Sequence, residues 1–280
     1  MTLAIQPMSG TLGAIAAGID LSAGSDPQTT ARLRQAFDSY SVLCIRGQQL
    51  SPAQLVDVAR LFGTPKEQIN KHAQFSDFPQ IGILSSEAID VHGTRKRVVN
   101  GATWHTDHSF TAQPPAATLL YAIEIPETGG DTSFCNTRAA YDALPPATRS
   151  RIDSLRAVHT YESSRATRKM LARTTQEIEQ TPDVIHPLVR THVASGKKAL
   201  YMSTTRLECI ADMPREQSDA LIDELLDHAT QSQFLFNHKW QVGDVLIWDN
   251  RCTMHHANAD YPLEARRYMQ RILIEGEIPV

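Results

Sequence analysis

Residues 245–261 read VLIWDNRCTMHHANADY. Val245 to Trp248 form a continuous apolar run that breaks into a polar turn, the pattern of a buried strand ending at a loop. Comparable short runs recur after about residue 80: AATLLYAIEIP at 116–126, KALYMS at 198–203, QFLFNHKW at 233–240 and RRYMQRILIEG at 266–276. Gly, Pro and Asp turns separate several of them. Many short strands of this kind, without a regular strand–helix alternation, predict a mainly β protein built as a sandwich or jelly roll.

Helices are predicted at the margins of that core. In SDPQTTARLRQAFDSY (25–40) Asp26 can cap and Pro27 suits the first helical position. In SPAQLVDVARLFG (51–63) Ser51 and Gln54 make a capping-box pattern, Leu55, Val58 and Phe62 share a face, and Gly63 is expected to end the helix. A third helix is expected in PREQSDALIDELLDHATQ (214–231), with Leu221, Leu225 and His228 near one stripe. No Gly-rich phosphate fingerprint, repeat or low-complexity linker interrupts the chain, so residues 1–280 are read as one domain. Two polar, poorly periodic stretches, 85–101 and 162–185, are candidate lid loops over a site.

Bulk composition narrows the function. Hydrophobic residues make up 41% and charged residues 21%, which argues against disorder. A net charge of -4 supplies no basic surface for nucleic acid. No apolar run is long enough to span a bilayer, and the N-terminus has no signal-peptide pattern. Cys44, Cys135, Cys209 and Cys252 are scattered and form no Cys-x-x-Cys pair, so a zinc knuckle or disulfide framework is not expected. The expectation is a cytoplasmic protein with neither a nucleic-acid nor a membrane partner. The composition permits a homo-oligomer and requires none.

The chemistry-bearing residues lie in NGATWHTDHSF (100–110). If 103–110 were a strand, His105 and Asp107 would project from one face, and His108 would point away in a structural role. A third donor is available from His255 or His256, after the turn at 249–251. Two imidazoles and one carboxylate form the facial set that leaves open positions on a non-haem Fe(II). In RRYMQRILIEG, Arg267, Met269 and Arg271 would share a face. Two inward guanidinium groups call for anions, and carboxylates match them best.

Taken together, these stretches resemble the taurine dioxygenase and 2,4-dichlorophenoxyacetate dioxygenase (TauD/TfdA) family of Fe(II)/2-oxoglutarate enzymes. The resemblance runs through PMSGTLGAIAAGIDLS (7–22), SVLCIRGQQLSPAQLVDVARLFG (41–63), WHTDHSF with PPAATLLYA, GGDTSFCNTRAAYDALP (129–145), HPLVRTHVASGKKALY (186–201), GDVLIWDNRCTMHHANADY and RRYMQR. It implies a double-stranded β-helix. It also implies His105, Asp107 and His255 as iron ligands, Thr132 and Arg267 as contacts of 2-oxoglutarate, and O2 as the co-oxidant.

Arg271 corresponds to a second arginine that meets the acidic group of the substrate, and Lys71 to a lysine near the substrate carboxylate. Gly101 stands where family members often carry an asparagine facing the substrate. FCNTRAAYDALP and NRCTMHH resemble the 2,4-dichlorophenoxyacetate branch, which implies hydroxylation of an aryloxyalkanoate and collapse of the resulting hemiacetal. A taurine-like sulfonate or a natural-product carboxylate is the alternative substrate. A zinc-dependent hydrolase could use the same three ligands, but it has no use for Thr132 with Arg267 and would need a general base. A silent β-domain binding an anion through Arg267 and Arg271 is the non-enzymatic reading.

Overall fold

The computed structural model describes residues 3–10, 12–69, 74–87, 99–167, 172–262 and 264–280. VLIWD forms the strand Val245–Asp249 near the middle of the larger of two facing sheets. In spatial order that sheet runs Ala4–Ser9, Leu12–Ala17, Val42–Ile45, Val245–Asp249, Ala117–Glu124, Tyr268–Ile274, Phe78–Ser85 and Gln74–Phe75. Pro65–Lys66 adds a short rung to Tyr268–Ile274. Leu12–Ala17 pairs with Val42–Ile45 in parallel, and the other pairings are antiparallel. The facing sheet has the order Leu235–His238, Thr132–Asn136, Thr253–Ala257.

Period-two alternation builds the layers. On Val245–Asp249, Val245 and Ile247 pack outward with Leu33, Phe37, Leu55 and Val58 of the two N-terminal helices. Leu246 and Trp248 point inward, to meet Phe134 and Phe236 from the facing sheet. Behind that second sheet, Cys135 and Met254 pack against Leu221 and Leu225 of the helix Arg215–Ala229. The result is the expected jelly roll with helices on both outer faces, and the inner faces of its two sheets hold the candidate site.

The helix starts are as the sequence reads them. Asp26 accepts from the amides of Gln28 and Thr29, and Ser51 with Gln54 makes a reciprocal capping box. Their ends differ. The second helix stops at Arg60, because Leu61 and Phe62 tighten into bonds to Val58 and Ala59, so Gly63 lies beyond it. KALYMS pairs only over Lys198–Leu200, and QFLFNHKW opens with a 3-10 turn before its strand. Among the described residues no helix is long and apolar enough to cross a membrane.

Candidate active site

Residues 103–110 are not a strand. His105 makes a single antiparallel bridge with His255, its amide donating to the His255 carbonyl at 3.0 Å and its carbonyl accepting from the His255 amide at 2.8 Å. The chain then turns, and His108 adopts a positive φ of 47°. His105 and Asp107 therefore converge through a bridge followed by a turn, and not through strand alternation. The same turn brings His108 onto the cavity wall, where the strand reading had it pointing away. His255, inward on Thr253–Ala257, completes the group, with the three donor atoms within 4.8 Å of one another. Its neighbour His256 alternates outward, against the Trp104 ring at 4.3 Å.

The donor set suits a divalent metal. His105 Nδ1 lies 2.7 Å from the Thr103 carbonyl, which can only accept, so Nδ1 carries the proton and Nε2 keeps its lone pair. That Nε2 is 3.8 Å from Asp107 Oδ1, and His255 Nε2 is 3.7 Å from Asp107 Oδ2. Burial pulls the His255 imidazole down to about 3 and lowers that of His105 as well, so both stay neutral and able to ligate. Burial also pushes the Asp107 carboxyl upward. His255 and His105, once protonated in acid, and the Arg271 guanidinium outweigh that effect and hold it well below the usual carboxylate range.

Asp107 is fixed by a chain of side-chain bonds. Thr118 Oγ1 donates to Asp107 Oδ2 at 2.6 Å and accepts from Asn250 Nδ2 at 2.9 Å. The Asn250 carbonyl oxygen of the side chain accepts from Trp248 Nε1 at 3.1 Å, while its backbone carbonyl accepts from Thr106 Oγ1 at 2.8 Å. Replacing Thr118 with valine removes the donor to Asp107 without changing shape. Metal affinity is expected to fall by about 10–100-fold, the usual cost of losing an outer partner of a ligand. An equilibrium competition with a chelator of known affinity checks this, and unchanged affinity would show that Thr118 does not orient the carboxylate.

The donors open into a cavity of about 380 Å³. Gly101 sits on its wall with φ +75°, and a Cβ there would lie 3.2 Å from His105 Cε1, so any side chain would press on the His105 ring. Thr132 Oγ1 accepts from Trp240 Nε1 at 3.0 Å, which leaves its own proton free to donate. Arg267 is buried, with Nε donating to the Gly130 carbonyl at 3.3 Å. Arg271 donates from Nη2 to Gln68 Oε1 at 2.8 Å, and its buried Nε has no partner among the described residues. Thr132, Arg267 and Arg271 all line the same space.

Lys71 lies outside the described residues. So do 88–98 and 168–171 of the two candidate lids, although the described flanking residues Val99, Asn100 and Thr167 reach the cavity. Of the charged and imidazole side chains on the wall, sequence reasoning did not place Arg206 and His108 there. Arg206 follows two threonines in a loop, with no periodic signal to give its direction.

Residues 4–273 match the model of the taurine catabolism dioxygenase TauD, TfdA family. The chain is 35% identical to the alpha-ketoglutarate-dependent 2,4-dichlorophenoxyacetate dioxygenase of Cupriavidus pinatubonensis, with 97% of each chain covered. It is 31% identical to the alpha-ketoglutarate-dependent sulfate ester dioxygenase of Pseudomonas putida, covering 100% of this chain and 92% of the relative. Among solved structures, AAD-2 in complex with Mn(II) and N-oxalylglycine superposes with a TM-score of 0.84 at 30% identity, covering 100% of this chain and 99% of that one.

Proposed function

The chain belongs to the TauD/TfdA family of Fe(II)- and 2-oxoglutarate-dependent dioxygenases, and from that premise we propose that it hydroxylates a small anionic organic substrate, an aryloxyalkanoate, at the carbon beside the ether oxygen. The reading takes residues 1–280 as one dioxygenase domain. One observation carries it: His105, Asp107 and His255 face the same cavity as Thr132, Arg267 and Arg271. A zinc hydrolase would leave the last three without a task.

In this reading His105 Nε2, Asp107 and His255 Nε2 hold the metal. When bound, ferrous ion with 2-oxoglutarate and O2 couples decarboxylation of the cosubstrate, to succinate and carbon dioxide, with hydroxylation of a substrate C–H. The protein's own residues orient and enclose. Thr132 donates its hydroxyl proton to a cosubstrate carboxylate oxygen, and Arg267 meets the distal carboxylate from a buried position. Arg271 meets the acidic group of the substrate, steadied by Gln68. Leu120 and Trp248 supply apolar wall that keeps water from the reacting carbon. For an aryloxyacetate, the hydroxylated product is a hemiacetal that collapses to a phenol and glyoxylate.

The test begins without oxygen. Fe(II) and then 2-oxoglutarate are added to the protein, and the weak visible charge-transfer band of the chelate is followed. Air is then admitted with a panel of aryloxyacetates, aryloxypropionates, taurine and alkyl sulfates. The expected result is the band, followed by equal amounts of succinate and phenol from an aryloxyalkanoate. Succinate coupled instead to taurine or an alkyl sulfate would replace the substrate class. Slow succinate with no coupled product from any member would remove it.

A further inference from the structure

Among the described residues, three guanidinium groups, Arg206, Arg267 and Arg271, line the cavity against the single carboxylate of Asp107. Among the described residues none of the three forms an ion pair, although eight other arginines do. A ligand metal would make the space more positive still. 2-Oxoglutarate brings two negative charges, so it does not balance a pocket that holds three arginines and a divalent ion against one aspartate. The remaining positive charge needs a further anion.

Arg206 is the cation that no part of the reaction so far uses. Burial, the main influence on it, draws its guanidinium down to about 10, so it stays protonated at neutral pH. Among the described residues its buried Nη1 has no hydrogen-bond partner. The guanidinium carbon lies 4.7 Å from the centroid of the Phe110 ring and 4.9 Å from that of Tyr161. The two rings touch each other edge to face at 5.2 Å, so both pack on one side of the guanidinium, and the side chain still reaches the cavity wall, where its remaining N–H groups can meet a ligand.

The position of this group relative to the metal donors is also fixed. Thr204, two residues before Arg206, donates from its backbone N at 3.0 Å and from Oγ1 at 2.7 Å to the carbonyl of Trp104, the residue before His105. On the other side, the Arg206 carbonyl accepts from the Thr160 amide at 2.8 Å. An arginine serving only to pack against the two rings needs neither a place on the cavity wall nor this double tether to the loop that carries His105.

Building on the dioxygenase reading, we propose that Arg206 is a specificity-determining residue that, together with Arg271, receives the carboxylate of the primary substrate. The apolar wall is left to the aryl body. Uncharged analogues are then discriminated against at Arg206, because they leave its N–H edge desolvated and unpaired.

The test compares 2,4-dichlorophenoxyacetate with its uncharged primary amide. Binding is followed by tryptophan fluorescence, since Trp248 lines the cavity, and turnover by succinate and phenol. In Arg206→Gln the Kd and KM of the acid are expected to rise on the order of 10–100-fold, as for loss of a charged hydrogen bond. The amide should change far less, so the preference for acid over amide collapses. Arg206→Lys, which keeps the charge but loses the planar fork, should lie between, and it decides by the same comparison if the glutamine variant does not fold.

Acid binding as in the parent protein, or equal losses for acid and amide, would overturn the proposal and leave Arg206 a packing residue. Acid binding that depends on Arg206 without any succinate release would overturn the dioxygenase reading and leave the anion site standing. If the parent protein neither binds nor turns over the acid, the substrate class and the role of Arg206 both fall.

Discussion

Asp107→Ala is expected to abolish turnover and ferrous-ion binding together. Among the described residues Asp107 is the only carboxylate within 4.8 Å of the two imidazole donors, and so the only anionic donor there to offset the charge of a divalent ion. Its loss should cost more than the roughly 10–100-fold in affinity that follows removal of an outer partner. Metal content measured after anaerobic loading, alongside succinate release, checks this. The protein should remain folded, because the substitution removes a buried charge while Thr118 and Asn250 keep each other as partners. A folded Asp107→Ala protein that retains stoichiometric iron would remove Asp107 from the ligand set.

Arg267→Ala is expected to act on the cosubstrate instead. Removing one member of a buried, hydrogen-bonded charge pair costs about 2–5 kcal/mol. The KM for 2-oxoglutarate should therefore rise on the order of 10²-fold or more, at about 1.4 kcal/mol per tenfold. Iron content should hold, because Arg267 is not a donor. Titrating 2-oxoglutarate into the iron-loaded variant and reading the charge-transfer band separates binding from turnover. A normal midpoint would show that another group holds the distal carboxylate. Arg267→Lys should recover only part of the loss, since an ammonium cannot form the two parallel bonds of a guanidinium.

The fold could be read from the sequence wherever local chemistry dominates. Val245 to Trp248, Ala117–Glu124 and Tyr268–Ile274 carry enough apolar and β-branched side chains to declare strands, and Asp26 and Ser51 declare helix starts. Helix ends were harder, because Leu61 and Phe62 close the second helix by backbone bonds that no residue type announces. His105 and Asp107 were picked out through a strand that does not exist. A bridge and a left-handed residue at His108 produce the convergence that alternation was expected to give. Arg206 was illegible for a related reason. Its place on the wall follows from the bonds between Thr204 and Trp104, about a hundred residues apart.

The paired amides of His105 and His255 have one more consequence. The spacing of two donors from distant parts of the chain is set by the same kind of ladder that builds the sheets, so it is reached when the polypeptide folds and not when an ion arrives. A socket of that kind demands little rearrangement on capture. Stripping iron with a chelator should therefore leave the jelly roll intact, and fresh ferrous salt should revive the enzyme within the time of mixing, with no refolding step between.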